Sequence, residues 1–543
     1  MQHAIFAVLA YIVFAVVPIY AQNASQNKVD AIFAPYAKPG SPGCSLGVIR
    51  NGNFIYRKAY GLASLELNVP LSSQSVFYVG SVSKQFTAAA VVLAAEQGFL
   101  SLDDNVRKYL PELPDYGHPI TLRQMLHHTS GFRDFLSLLY LSGQNVADIH
   151  SRNELLALIT RQKDLNNVPG DEFIYSNTNY FLLGEVLERA TKKPLSQFAG
   201  ENIFHPLGML HTRFYDDHTV VVPDRVSAYD PGDHGTFRVD WSTNFETVGA
   251  GGLMTSVDDL LLWDRNFYEN KLGKGALLKE MQTPGVLNKG KRISYALGLE
   301  LGSYLGLPII EHNGALFGYR AEILRFPHQK FSVLCLCNLS NIVGTSIARQ
   351  IADVYLEKEL QSKPGEQSPS ADRGLPSPVP FAGKYLDPRT HSVYSFTVSG
   401  GSLMAWGAKL RRIGPNQYKD LGDDTITFAS RNGAMTATLV IDGEPYFAGS
   451  RIESPRLGHA ALQAFAGNYK SNELNARYEL SVDNGDLILH VGWNLVIKLQ
   501  PVAPDEFDGE GMALVFHRDA GHHLSGFSVF VPGARDLRFD KTD

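Results

Sequence analysis

Residues 79–98 read "VGSVSKQFTAAAVVLAAEQG", a glycine followed by a helix that is almost wholly apolar or alanine from Gln85 to Ala95. That composition marks a helix buried on most of its faces. Its first turn nevertheless carries Ser81 and Lys84. The lysine charge opposes the positive end of the helix dipole, and burial penalises the ammonium form. Residues i and i+3 share a helix face, with Cβ atoms roughly 5–6 Å apart, so the two side chains can touch. A buried lysine has its pKa lowered, and a neutral amine can take the proton of a serine hydroxyl. The free N–H groups at a helix amino terminus are also available to an oxyanion. A position poor for stability is suited to nucleophilic catalysis.

S-x-x-K alone is short enough to arise by chance. A second copy, Ser25-Gln26-Asn27-Lys28, lies in a polar stretch near the amino terminus and carries no chemistry. The copy at 81 has company. "PGDEFIYSNTNYFLLGEVLE" (169–188) places Tyr175-Ser176-Asn177 before another buried helix, and "EHNGALFGYR" (311–320) places His312-Asn313-Gly314 at the head of a strand hairpin. In this order the three stretches resemble the serine β-lactamase and penicillin-binding protein superfamily, which uses S-x-x-K, then Y-x-N or S-x-N, then K-T-G or H-x-G. The class C β-lactamase-like branch, with its D-aminopeptidases, family VIII esterases and DD-peptidases, is the nearest in pattern. "LHHTSGFRDF" (126–135), "HPLGMLHTRF" (205–214) and "GAGGLMTSVDDLLLW" (249–263) also look like stretches of that family, and the resemblance covers about residues 27–357.

The resemblance implies an α/β (α+β) catalytic part: an antiparallel sheet flanked by helices, with an all-α subdomain and Ser81 in the cleft between them. It implies Ser81 as the nucleophile that forms an acyl-enzyme, with Lys84 and Tyr175 as its base pair and the phenol lowered in pKa by the neighbouring cation. Asn177 would bind the acyl amide or position Lys84. The N–H groups of Ser81 and Ala315 would form the oxyanion hole, and Gly314 would keep that strand bare for substrate. The third motif departs from K-T-G, whose lysine pairs with the carboxylate of penicillins and of terminal D-Ala. His312 is largely neutral near pH 7 and a poorer carboxylate anchor. The departure favours an aminopeptidase, endopeptidase or esterase over an efficient β-lactamase or carboxypeptidase. Arg320 could restore a positive charge only by pointing inward, and a surface position is expected for it.

The 543-residue chain has 44% hydrophobic and 19% charged residues and a formal charge of -6, ordinary for a globular protein of more than one domain. It has no basic stripe or RNA-binding aromatic motif, so nucleic acid is not an expected partner. Ala4–Val17 is an apolar run of signal-peptide length, too short to span a bilayer comfortably, and cleavage is expected after Ala21 although no Lys or Arg precedes the run. Residues 1–21 are therefore expected to direct export to the periplasm or beyond, with no stable membrane span. The three cysteines suggest no disulfide framework. Cys335 and Cys337 share a strand face and read as buried thiols, and neither they nor Cys44 has zinc-site spacing.

The catalytic part is expected over 22–360, with a hairpin turning at Asn51-Gly52, helices at 81–97, 152–161 and 178–191, and a second hairpin turning at Pro327–Lys330. Residues 361–380 are rich in Pro and Ser and read as a linker. Beyond it, "FAGKY" (381–385) recurs as "FAGNY" (465–469), and at the same offset Tyr394 matches Tyr478, Gly401 matches Gly485 and Leu403 matches Leu487. Two copies of a small all-β unit, 381–460 and 461–543, are expected to form barrels or half-barrels. By resemblance, such appended barrels can reach the active site and limit substrate size. The pairs His127-His128 and His522-His523 make no ready metal site, "GAGGL" is a weak phosphate-loop lookalike, Ser256-x-x-Asp259 reads as a capping box, and the sequons at Asn23 and Asn338 fall beside the signal and at a strand end.

The expectation is thus an exported serine hydrolase acting through an acyl-enzyme on amide or ester bonds, needing no cofactor and no metal. Its substrate is a small molecule or peptide, cell-wall-derived peptides among the candidates. A class C-like β-lactamase or DD-carboxypeptidase is the alternative within the same mechanism. A non-catalytic binding protein on the same fold is the alternative of another class. The sequence carries no signal for oligomeric state.

Overall fold

The computed structural model describes residues 24–240, 247–273, 275–360, 377–420, 424–431, 433–441, 444–492 and 495–542. The expected signal peptide lies outside these residues, as does all of the expected linker except 377–380.

A six-stranded antiparallel sheet forms the base of the catalytic part, in the order Glu300–Tyr304, Leu307–Leu316, Tyr319–Phe326, Phe331–Cys337, Cys44–Arg50, Asn53–Tyr60. Its two sequence-predicted hairpins form. Asn51 and Gly52 both take positive φ, 52° and 73°, as a tight turn between right-twisted strands requires. The first strand pairs with the last, Cys44 opposite Cys337, closing residues nearly three hundred positions apart into one sheet. On one face of the sheet lies the Gly344–Tyr355 helix. The helical subdomain includes Leu122–Leu126, Phe135–Leu141, Arg152–Thr160 and Asn177–Thr191. Between subdomain and sheet runs the helix Ser83–Glu96, entered through a short 3-10 turn at Gly80–Val82. Every residue from Ser83 to Ala94 on that helix is buried. Each fully buried Val, Leu or Phe contributes about 1.5–3 kcal/mol, so the helix can hold one unfavourable lysine.

The cysteine expectation is corrected. Cys44 and Cys337 form a disulfide and only Cys335 is a free, buried thiol. The pairing is invisible in spacing because strand register, not sequence proximity, brings the sulfurs together. The capping-box expectation is half met. Ser256 accepts the N–H of Asp259, whose own carboxylate turns away to His211 N (2.8 Å) and Thr212 Oγ1 (2.7 Å). Asn338 is fully buried, its amide donating to Leu62 O and Ser227 O.

Two all-β units follow. The first is a nine-stranded sheet whose end strands, Ala408–Lys409 and Arg411–Arg412, are separated in sequence by Leu410 alone. The second is a closed eight-stranded barrel from Gly467–Ser471 to Ala534–Lys541. The repeat is structural. Gly383 and Gly467 have φ of 144° and 141°, Tyr385 and Tyr469 donate to Phe381 O and Phe465 O, and Tyr385 faces Tyr394 across the sheet as Tyr469 faces Tyr478. Rings of Tyr469, Phe507, Phe516, Phe527 and Phe539 fill the barrel, as an eight-stranded interior allows.

The barrel seats its Val531–Asp536 turn against the subdomain beside Ser81's cleft. Arg133, its side chain fully buried, pairs with Glu473 at 2.7 Å and donates to the carbonyls of Arg535 and Asp536. Asp134 N donates to Gly533 O (2.7 Å), and the Tyr478 hydroxyl reaches Leu141 O (2.7 Å). A Cβ on Gly533, at φ 84°, would stand 2.9 Å from Asp134 Cβ, so the turn approaches as closely as it does only with glycine there.

Candidate active site

Ser81 stands on the 3-10 turn at the mouth of the buried helix, partly exposed, while Lys84 one turn on is fully buried. Lys84 Nζ lies 3.0 Å from Ser81 Oγ, 2.9 Å from Asn177 Oδ1 and 2.7 Å from Ala250 O. Two of these partners are carbonyl oxygens that can only accept, and the third is a hydroxyl. A neutral amine has two N–H donors and one lone pair, which matches that set: donors to Asn177 and Ala250, the lone pair facing the serine proton. Desolvation pulls the lysine pKa down to about 7, against the fields of Asp134 and Glu300.

Tyr175 arrives from the segment before the Asn177–Thr191 helix. Its phenol is hydrogen-bonded to the Ser81 side chain, and Lys84 Nζ sits 4.8 Å from its ring centre. The expectation of a lowered phenol pKa is corrected. Desolvation first, then the charges of Glu300 and Asp134, hold it well above the ordinary value, so the phenol keeps its proton. The amine, not the phenolate, is the group poised to be basic.

His312 is buried and neutral, pushed down to about 3 by desolvation and by Lys84. Its Nδ1 is 2.7 Å from the carbonyl of Asn313 and therefore carries the proton, and its Nε2 accepts from the Tyr295 hydroxyl at 3.0 Å. Both nitrogens are occupied, so His312 offers no cation to a substrate carboxylate. Arg320 offers none either: half-buried, it donates to the carbonyls of Phe317 and Tyr319 in its own turn, on the face of the strand shared with Asn313 and Gly344. Gly314 serves closeness between backbones rather than bareness for substrate. A Cβ there would meet Val79 O at 2.0 Å and Ser81 N at 3.1 Å, and one on Gly80 would meet Ala315 N at 2.8 Å. These two glycines press the Ala315 strand against the Ser81 turn, and both residues line one hollow of about 90 Å³.

Four groups that motif reading passed over complete the site. The "GAGGL" segment is a cradle for the lysine helix: Gly249 O accepts from Thr87 Oγ1, Ala250 O from Lys84, and Leu253 N donates to Ser83 Oγ. His128, in left-handed conformation (φ 56°), is fully buried with its ring centre 4.2 Å from that of Tyr175. Asp134 accepts from Asn177 N at 2.5 Å and Ser137 N at 3.2 Å, and burial raises its pKa against those bonds. Tyr295 packs edge-on against Tyr175, His128 and His312. His128 and Asp134 both sit in "LHHTSGFRDF", a stretch the sequence singled out without assigning roles.

A serine and an amine on one helical turn, with a phenol from a second segment and a strand glycine against the serine's backbone, define a serine hydrolase. The Beta-lactamase family model matches residues 29–356. The chain belongs to that family and so to the serine β-lactamase and penicillin-binding protein superfamily. It is 26% identical over 529 residues to a D-aminopeptidase of Brucella melitensis biotype 2, covering 92% of this chain and 96% of the relative. The fold is similar to that of an octameric penicillin-binding protein homologue from Pyrococcus abyssi (TM-score 0.56, 20% identity, 87% of this chain and 98% of that one). It is also similar to a D-amino acid amidase from Ochrobactrum anthropi SV3 complexed with L-phenylalanine amide (TM-score 0.52, 21% identity, 62% and 99%). The family match and these relatives indicate a serine hydrolase.

Proposed function

We propose that the protein is an exported D-aminopeptidase-type enzyme that cleaves an aminoacyl amide bond through a Ser81 acyl-enzyme. Neutral Lys84 takes the Ser81 proton as Oγ attacks the carbonyl carbon, and the N–H groups of Ser81 and Ala315 receive the oxyanion. Tyr175 then donates its proton to the leaving nitrogen and is reprotonated by the Lys84 ammonium. The C–N bond breaks and the amine departs. Water, deprotonated by the same pair, hydrolyses the ester and returns the proton to Ser81.

The observation that carries the aminopeptidase reading is the distribution of charge around the nucleophile. Where β-lactamases and carboxypeptidases keep a lysine for a substrate carboxylate, this chain has the neutral, fully bonded His312. On the other side, the buried carboxylate of Asp134 touches Asn177 and lines the cavity that holds Tyr175. An acid there suits the ammonium of a free amino-terminal residue. The relatives' D-aminopeptidase and D-amino acid amidase names support the D configuration of that residue. The disulfide Cys44–Cys337 supports export, since such bonds persist in oxidising compartments.

The deciding experiment offers D-alanyl p-nitroanilide, its N-acetyl derivative, p-nitrophenyl acetate and a fluorescent penicillin. Rapid turnover of the first with loss on acetylation supports the reading. Labelling by penicillin with no anilide turnover would replace it with the β-lactamase or DD-peptidase alternative, and turnover of the ester alone with an esterase.

A further inference from the structure

Two cavities meet at Asn177. One is the hollow of about 90 Å³ that holds Ser81 and Ala315, walled by Phe135, Leu136, Phe181 and Leu316. The other, of about 390 Å³, holds Tyr175 and draws walls from all three parts of the chain. Chemistry assigns them different halves of a substrate, given the acyl-enzyme mechanism above. The acyl group stays on Ser81, so its side chain occupies the small hollow and its ammonium reaches the junction at Asn177, where Asp134 borders the large cavity. The leaving nitrogen is protonated by Tyr175, so the departing half occupies the large cavity.

That cavity has a definite chemistry. Phe173 and Tyr295 come from the catalytic part, and Tyr394, Tyr446 and Phe447 from the first β unit, where Tyr394 and Phe447 stack at 4.2 Å. Tyr446 is 46% exposed, an open ring rather than a core one. Arg389 of the first β unit and Arg535 of the barrel converge on a single oxygen of Glu172, at 2.9 and 3.2 Å. The second carboxylate near Arg389, Asp387, stands 3.5 Å off and already accepts the backbone N–H groups of Arg389 and Ala448. Two guanidiniums sharing one carboxylate oxygen leave fork geometry for a second carboxylate.

We infer that this three-part cavity is a leaving-group subsite for short peptides, taking an aromatic or large apolar residue after the scissile bond and holding that residue's free carboxylate at Arg389 and Arg535. The inference rests on the serine-hydrolase reading and makes both β units part of substrate selection rather than packing.

The test measures kcat/KM of the full chain for D-alanyl-phenylalanine, D-alanyl-glycine, D-alanyl-phenylalanine amide and D-alaninamide. The first should exceed the last by about tenfold or more, with glycine and the amidated peptide between them. In Arg389→Gln the advantage of the free acid over the amidated peptide should vanish, and in Tyr446→Ala the advantage of phenylalanine over glycine. Tyr446→Ala breaks no hydrogen bond in the interface among the described residues, and melting curves of both variants check that the three parts stay docked. If no D-alanyl substrate reacts, the same comparison is made with phenyl acetate and 4-acetoxybenzoate, so that failure of the aminopeptidase reading is separated from failure of the subsite. Equal rates across leaving groups in the wild type, or variants that slow every substrate alike, would overturn the proposal.

Discussion

The imidazole of His128 lies against the phenol of Tyr175, ring centres 4.2 Å apart and planes 32° from parallel. Its Nδ1 accepts the N–H of Ser176, the next residue in the chain, at 3.1 Å, and the amide of Asn179 at 3.2 Å. The proton therefore sits on Nε2, which has no hydrogen-bond partner among the described residues, and the rings of Tyr295 and Phe173 pack edge-on against the imidazole. One side chain thus holds both the backbone and the ring of the residue that bonds Ser81. Among the described contacts none joins it to Ser81, so in the proposed mechanism it acts through Tyr175.

His128→Asn keeps an acceptor and tolerates the left-handed backbone but removes the ring behind Tyr175. It should lower kcat with KM little changed and shift the pH profile, because Tyr175 loses its wall. His128→Phe keeps the ring and strands the Ser176 N–H, and should lower stability by about 1–3 kcal/mol. Steady-state kinetics and denaturant melts distinguish them. Parallel losses in kcat and stability for both variants would reduce His128 to a structural residue.

In the proposed mechanism Lys84 reacts only as the free amine. With its pKa near 7, kcat/KM for any substrate should rise as pH passes upward through about 7. The same shift sets a stability trend. An unfolded chain carries a lysine of ordinary pKa 10.5, so between about 7 and 10.5 it binds a proton the native state lacks, and this residue's contribution to stability rises with pH across that window. A pH-rate profile without an acid limb near neutrality would move the basic role elsewhere.

Tyr175→Phe removes the proposed proton donor to the leaving nitrogen. Loss of a general acid lowers kcat by about 10²–10⁴. An activated ester, whose leaving phenolate needs no proton, should lose far less than an anilide. Comparing p-nitrophenyl acetate with D-alanyl p-nitroanilide on this one variant gives the answer.

Asp134→Asn removes the charge proposed to meet the substrate ammonium while keeping the acceptor for Asn177 N. KM for D-alanyl anilide should rise by about tenfold or more, the equivalent of one charge-assisted bond, with turnover of p-nitrophenyl acetate less affected. Equal effects on both substrates would place Asp134 in the folding of the site instead.

Reduction of Cys44–Cys337, or Cys44→Ser, should destabilise the catalytic part by about 2–4 kcal/mol, because the bond ties the first strand of the sheet to the last. Burial holds the Cys335 thiol far above its ordinary pKa. A thiol reagent should therefore label the native oxidised protein only on unfolding, which mass spectrometry can follow.

Much of this enzyme is legible along the chain. A glycine, a serine and a misplaced lysine on an apolar helix announced the Ser81–Lys84 contact, because i,i+3 spacing fixes it within one turn. Period-2 patterns and Asn-Gly punctuation marked the hairpins, and the recurring FAG-Y phase marked the twin β units. These are local rules, and local rules can be read along a chain. Tertiary structure alone decided the rest. That Cys44 bonds Cys337 follows from strand register, and that Tyr175 keeps its proton follows from how many atoms crowd its ring. His128, Asp134, Ala250 and Arg535 belong to the cleft only because segments up to four hundred residues apart converge there, and the desolvation that lowers the pKa of His128 and raises that of Asp134 is a property of the assembled core.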